Sequence, residues 1–177
     1  MPTTSPLLQN RAAQPYIAIP LTVSDAELGK AWPEVFAEVT AWARQHGLEA
    51  HGAPFLRYRT TVGDASGRLA VEVGLPVAPG SNERLAADLA ADPRVRDGVL
   101  PPGTYATLVH TGSRAGLRAA TAQLLAWGEA NGVAWHRSDD SRAEHWEAHV
   151  ESRLTDPAVE PDPAHWQTEV AILIKET

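Results

Sequence analysis

The chain has 177 residues, 44% of them hydrophobic, which is enough for one substantial domain or two small ones sharing a core. Its formal charge is −7, from 22 acidic against 15 basic residues, and no segment gathers Lys and Arg into a stripe that would neutralise phosphates, which excludes nucleic acid as the expected partner. Cysteine is absent, which excludes a disulfide framework, a thiolate metal site and a cysteine nucleophile. The opening MPTTSPLLQNRAAQPYIAIP breaks the apolar stretch a signal peptide needs, and no run approaches the roughly 20 apolar residues of a membrane span, so the sequence predicts a cytoplasmic protein with no membrane partner.

The first strand candidate is PYIAIPLTV at 15–23. A one-sided helix follows, with Trp32, Val35, Phe36, Val39 and Trp42 at the i, i+3, i+4, i+7 spacing; Pro33 suits its first helical position and Gly47 the left-handed position that ends it. PFLRYRTT (54–61) and RLAVEVGLPV (68–77) are the next strands, the second alternating Leu69, Val71, Val73, Leu75 and Val77. SNERLAADLAADPRVRDGVLPPG (81–103) reads as a short helix and a Pro/Gly turn. GTYATLVH (103–110) is a further strand, followed by a helix through Leu117, Ala120, Leu124 and Trp127 that ends at Gly132, with Ser113 a candidate cap and His110 a structural residue. EHWEAHVESRLT (144–155) and HWQTEVAILIK (165–175) close the chain as strands around the loop TDPAVEPDPAHW (155–166).

The two halves repeat. AWARQHGLEAH (41–51) recurs as AWGEANGVAWH (126–136), 85 positions on, and Glu72-Val73-Gly74-Leu75 aligns with Glu169-Val170-Ala171-Ile172 at an offset of 97; the growth of 12 is the loop at 155–166. Each copy is β-α-β-β. The expected fold is α+β: a tandem duplication with pseudo-two-fold symmetry, forming an antiparallel eight-stranded sheet with two long helices on one face. The expected domain covers 14–177, as halves of about 14–80 and 100–177 joined by 81–99, with Glu72 and Glu169 on the same sheet face. Trp42 and Trp127 belong to the buried stripe.

With this duplication in place, LPPGTYATLVHTG (100–112), AWGEANG, ESRLTDP (151–157) and TEVAIL together resemble the GyrI-like family, also found as the effector-binding domain of drug-sensing transcription regulators. The resemblance covers nearly the whole chain. It implies a cavity between the halves, lined by aromatic side chains around a central carboxylate and binding lipophilic, often cationic, small molecules. The carboxylate maps onto Glu151 and a second acidic position onto Glu169. Many members carry an aromatic residue where this chain has Arg153, and an arginine there is placed to pair with Glu151. Too few residues flank the two halves for a DNA-reading module, so a stand-alone domain without a DNA-binding domain is expected.

As a strand, AEHWEAHVESRL puts His145, Glu147, His149, Glu151 and Arg153 on one face and Trp146, Ala148 and Val150 on the other. As a helix it would set His145 and His149 one turn apart like a metal pair, but the repeat favours the strand, and neither a metal nor a cofactor is expected. Tyr16, Tyr58 and Tyr105 are candidate cavity walls because each falls on a strand and offers a flat apolar face with a polar tip. His149 and Trp135 complete the candidate ligand-binding set with Glu151 and Glu169. The expected partners are hydrophobic aromatic small molecules, and the expected state is a monomer or homodimer. No G-x-S-x-G elbow, phosphate loop or dinucleotide fingerprint is present. The function expected first is binding of lipophilic, cationic aromatic molecules around Glu151. An alternative is hydrolysis of cyclopropane-containing alkylating natural products by Glu151 with Tyr58 or Tyr105, and a further one is gyrase inhibition through an exposed surface.

Overall fold

The computed structural model describes residues 3–62, 68–139 and 143–176; residues 63–67, 140–142 and 177 of the expected domain lie outside that description. In chain order the elements are β1 (Leu7–Arg11), β2 (Gln14–Ser24), α1 (Asp25–Gln45), β3 (Phe55–Val62), β4 (Arg68–Pro76), α2 (Ser81–Arg84), α3 (Ala86–Ala91), β5 (Arg96–Leu100), β6 (Gly103–Thr111), α4 (Leu117–Ala130), β7 (Arg137–Asp139), β8 (Ala143–Arg153) and β9 (Gln167–Leu173). Eight strands run β1-β6-β9-β8-β3-β4-β2-β5, every neighbouring pair antiparallel, and the short β7 pairs with β8 beside this path.

That order reads the same from both ends. The two repeats are β2-α1-β3-β4 and β6-α4-β8-β9, and an approximate two-fold axis passes between β3 and β8, where Leu56 pairs with Glu151 and Tyr58 with His149. The repeats supply only six strands. The outer pair, β1 and β5, comes from the lead-in and from the linker, and each crosses over: β1 precedes the first repeat yet pairs with β6 of the second, while β5 precedes the second yet pairs with β2 of the first. The linker is therefore two short helices followed by a strand, not a helix and a turn alone. Both edge strands are five residues long and mostly solvated, so neither carries the alternation that marks a half-buried strand.

The first helix starts earlier than Pro33 suggests. Ser24 and Glu27 form a reciprocal capping box, with Glu27 N donating to Ser24 Oγ at 3.2 Å and Ser24 N to Glu27 Oε2 at 2.8 Å, so the helix begins at Asp25 and Pro33 lies inside it. Pro33 has no N–H to offer the Gly29 carbonyl one turn back, and the packing of the buried stripe Leu28, Trp32, Val35, Val39 and Trp42 carries the helix through that gap.

The duplicated eleven residues are a repeated helix ending. Leu48 N bonds Ala43 O at 2.8 Å and Gly47 N bonds Arg44 O at 3.2 Å; in the second copy Val133 N bonds Gly128 O at 2.8 Å and Gly132 N bonds Glu129 O at 3.3 Å. Both glycines are left-handed, with φ of 69° and 71°. This is the double hydrogen-bond closure that glycine permits at the residue after a helix cap.

Both long helices pack on one face of the sheet. Against it, α1 buries its stripe on Ile17, Ile19, Leu56, Val71, Val73 and Leu75, and α4 buries Leu117, Ala120 and Leu124 on Ala106, Leu108, Val170 and Ile172. Each such large side chain contributes on the order of 1.5–3 kcal/mol. The opposite face is closed by its own side chains: Tyr16, Phe55 and Val150 form one cluster and Tyr105, Ala148, Ala171 and Leu173 another. Arg57 on β3 donates to the Val99 carbonyl of β5 at 3.2 Å across the width of two intervening strands, so the sheet curls toward that face. Glu72 and Glu169 share it, as the repeat requires: Val71, Val73, Val170 and Ile172 beside them pack toward the helices.

Candidate functional site between the two helices

Between the two helices, over the strands next to the two-fold axis, lies a cleft of about 810 Å³. One wall is the first turns of α1, Asp25, Ala26 and Gly29. The other is the 3-10 turn Arg114–Gly116 with α4, including Leu117, Arg118 and Leu125. The floor is Tyr58 and Thr61 of β3, Leu69 of β4, and Glu144, Trp146, His149 and Glu151 of β8.

Strand alternation alone misplaces part of this floor. Between Tyr58 and Thr60 the register of β3 with β8 slips: two residues of β3 span the interval from His149 to His145, four residues of β8. The irregularity swings Trp146 to the helix side with His149 and Glu151, while Ala148 and Val150 stay on the other side. His145 and Glu147 therefore leave the face on which simple alternation grouped them with Glu151. His145 now pairs with Thr60 and has parted from His149, and among the described residues no group of three metal-ligating side chains comes together.

Glu151 is buried at the cleft floor, 8% exposed. Burial raises its carboxyl above the usual carboxylate range, and the Arg114 charge and the Tyr58 hydroxyl pull back down. Burial, then the Glu151 charge, likewise pushes the Tyr58 hydroxyl up. The arginine facing Glu151 is Arg114, whose Nη1 stands 3.5 Å from Glu151 Oε2 and whose Nη2 stands 3.3 Å from Asp25 Oδ1. Arg153 is engaged elsewhere: its guanidinium lies between Trp32 at 5.1 Å and Trp166 at 5.0 Å, a cation held by two indole faces. The expected Arg153–Glu151 pair does not form because Trp32 and Trp166 take the guanidinium first.

His149 sits between Tyr58, ring centroids 4.9 Å apart, and Trp146, at 5.2 Å and edge-on. Both of its ring nitrogens are buried without a hydrogen-bond partner among the described residues, as is Trp146 Nε1. Burial holds the His149 pKa down to about 4, so the imidazole is neutral at pH 7.

The remaining candidates fall outside this floor. Tyr16, Tyr105 and Glu169 occupy strand positions of the opposite parity and point away from the helices. Tyr16 bonds Glu72 Oε1 at 2.9 Å, Tyr105 bonds the Pro101 carbonyl at 2.7 Å, and Glu169 pairs with Arg11 at 2.8 Å. Tyr105 and Glu169 line a separate cavity of about 440 Å³ on that side. Trp135 is bridged to Ile174 and packs beneath Gly128, where an added Cβ would meet its ring, in the cluster under α4. The structure thus brings together Glu151, Tyr58 and His149 of the candidate set and adds Arg114, Trp146 and Asp25. Arg114 carries no periodic signal. Its one sequence clue is its place just ahead of the second helix, as Asp25 stands at the start of the first. His110 has the structural role expected of it, its Nε2 meeting the Ser113 carbonyl at 3.0 Å, whereas the Ser113 side chain makes no capping bond.

Among the described residues no helix is long and apolar enough to cross a membrane. No curated protein matches the sequence. Solved structures do. The C-terminal domain of EcmrR superposes with a TM-score of 0.73 at 20% identity, 98% of each chain being covered. EcmrR in its DNA complex gives 0.76 at 18% identity, all of this chain covering 59% of that one. SAV2435 bound to tetraphenylphosphonium gives 0.57 at 12% identity, over 97% of this chain and 94% of that one; a hydrolase from Listeria innocua gives 0.57 at 14%, over 96% and 91%. At these identities the likeness is one of fold. The family model of the GyrI-like small molecule binding domain matches residues 6–175, nearly the whole of the duplicated architecture described above, and the chain belongs to that family.

Proposed function

We propose that the cleft between α1 and α4 binds a lipophilic, cationic aromatic small molecule, with Glu151 as its polar centre. The observation that carries this is a buried carboxylate on a floor of Tyr58, Trp146 and His149. Ionising a buried carboxylate is costly unless a cation compensates, and aromatic faces stabilise the same cation, so charge and shape select together. The fold shared with SAV2435, which was seen with tetraphenylphosphonium, is consistent with this ligand class. The test is calorimetric titration of wild type and Glu151→Gln with tetraphenylphosphonium and with neutral triphenylphosphine oxide. The amide has nearly the same shape and is easier to bury, so the fold is retained. The cation loses about 1–3 kcal/mol and the neutral ligand much less. Equal losses would argue against charge recognition, and no loss would place Glu151 outside the site.

A second reading has its own observation: Tyr58 and Glu151 interact at the floor of a cleft open to water. A carboxylate with a raised pKa beside a phenol can take a proton from water while the phenol steadies the reacting group, as hydrolysis of a strained, alkylating ring requires. Of the two tyrosines considered for this role, Tyr58 adjoins the carboxylate and Tyr105 faces away. Mass analysis of bound ligand after incubation separates the readings. Product formed by wild type but not by Glu151→Gln that still binds identifies a hydrolase; recovery of intact ligand identifies a binding protein.

A further inference from the structure

Arg114 is held loosely, and over a buried carboxylate. Arg59–Glu72, Arg94–Glu38 and Arg11–Glu169 close at 2.6, 2.6 and 2.8 Å, whereas Arg114, like Arg137 with Asp139 and Glu144, spans two carboxylates loosely, at 3.3 and 3.5 Å, and also meets the Tyr58 hydroxyl; unlike Arg137, it has a buried carboxylate as one of the two. One of the two, Glu151, is buried at the cleft floor; the other, Asp25, stands at the rim with its side chain 71% exposed. The backbone beneath Arg114 is pinned. His110 bonds the Ser113 carbonyl, and its imidazole lies so close to Gly116 that an added Cβ would fall 2.5 Å from it. The turn cannot shift without disturbing His110, so the movable part is the arginine side chain. That side chain also borders a second, small hollow lined by Trp32, Leu56, Arg153 and Trp166, so it stands as a partition at the edge of the cleft.

We propose that Arg114 is a built-in surrogate for the ligand's cation. When a ligand enters, its cationic head takes the guanidinium's place on Glu151 and Arg114 withdraws to Asp25. This rests on the reading of Glu151 as the polar centre and narrows the ligand class. The position is shaped around a planar, delocalised cation that carries N–H donors, so the preferred head group is an amidinium or guanidinium on an aromatic body. A quaternary cation offers Glu151 charge but no donor. Arg114 also sets specificity, because every cation must compete with it for Glu151 and a neutral isostere gains nothing by displacing it.

The experiment titrates p-aminobenzamidine, its neutral isostere p-aminobenzamide and tetraphenylphosphonium against wild type, Glu151→Gln, Arg114→Gln and Asp25→Asn, each checked by thermal melting. Glu151→Gln loses about tenfold in amidine affinity. Arg114→Gln moves the other way and gains about fivefold or more for the amidine, with little change for the amide, because the competitor is gone. Asp25→Asn, a change at an exposed position, weakens the amidine severalfold by leaving Arg114 only Glu151 to pair with. Loss of amidine affinity in Arg114→Gln, or none gained while Glu151→Gln loses, overturns the surrogate role and leaves the Glu151 reading standing. A gain in Asp25→Asn overturns it independently of how Arg114→Gln folds. Equal wild-type affinity for the amidine and the amide overturns the head-group assignment. No response to the amidine or to tetraphenylphosphonium in Glu151→Gln removes both the inference and the reading beneath it.

Discussion

His149 makes the stability of the cleft floor depend on pH. Its imidazole titrates at about 4 in the folded chain against 6.5 when unperturbed, because burial disfavours the charged form. The unfolded chain therefore binds a proton that the folded chain refuses between those values. A depressed histidine pKa leaves stability complete above about 6.5, and stability is lost as the pH falls toward 4. At about 1.36 kcal/mol per pH unit, the interval from 6.5 to about 4 amounts to about 3 kcal/mol, of which about 2 kcal/mol is gone by about pH 5. Glu151 works in the opposite sense. Its raised pKa means that the folded chain takes up a proton before the unfolded one does, so acid relieves the cost of burying its charge. The comparison that isolates the histidine is wild type against His149→Phe, which keeps a flat ring between Tyr58 and Trp146. Urea unfolding followed by the fluorescence of the six tryptophans, from about pH 7.5 to about pH 4.5, should give a wild-type curve that falls toward acid relative to the variant. At neutral pH the variant should be no less stable, since it deletes two buried nitrogens that have no partner among the described residues. Parallel pH dependences would refute a neutral, desolvated His149.

Gly132→Ala and Gly47→Ala each force a side chain into a left-handed backbone and should each cost about 1 kcal/mol in chemical unfolding, with similar penalties because the two helix endings are the same motif. Gly74→Ala should cost more, on the order of 1–3 kcal/mol by the same measurement, because a Cβ there would lie 2.4 Å from the Phe55 ring in the packed opposite face; a neutral result would mean that Phe55 turns aside freely.

The duplication was legible because helix endings are chemically exacting. A glycine must supply the left-handed residue, so AW…G…H marks the same closure twice. The β-α-β-β pattern follows from apolar periodicity, and the strand at Ala143–Arg153 from the repeat, since the periodicity of that segment also fits a helix. The edge strands β1 and β5 did not show, because a five-residue, solvated strand is defined by the partner it bonds to and not by its own side chains. Site assignments failed where parity failed. Alternation groups His145 and Glu147 with Glu151, and the register slip between Tyr58 and Thr60, which rests on strand pairing and not on the side-chain pattern, separates them and brings in Trp146. Tyr16 and Tyr105 sit on strands as expected, but lying on a strand does not say which face a residue uses, and both use the one away from the helices.

A duplicated fold also explains why the cleft is where it is and why it is polar. Two copies of β-α-β-β joined through β3 and β8 place two helices side by side over the axis, and their pseudo-equivalent starting ends must then flank the same stretch of floor. Perfect symmetry would put like groups on both sides. Divergence has put opposite charges there: Asp25 opens α1, where a carboxylate favours the helix dipole, and Arg114 occupies the turn that leads into α4. On the floor the mates across the axis differ too: Leu56 corresponds to Glu151, which it faces on the axis, and Tyr58 corresponds to Arg153. The asymmetry therefore lies in the side chains nearest the axis, while the scaffold that holds them is repeated. Changes at Asp25, Arg114 or Glu151 should accordingly alter what the cleft accepts, whereas changes at Gly47 or Gly132 should alter only how firmly the two copies fold.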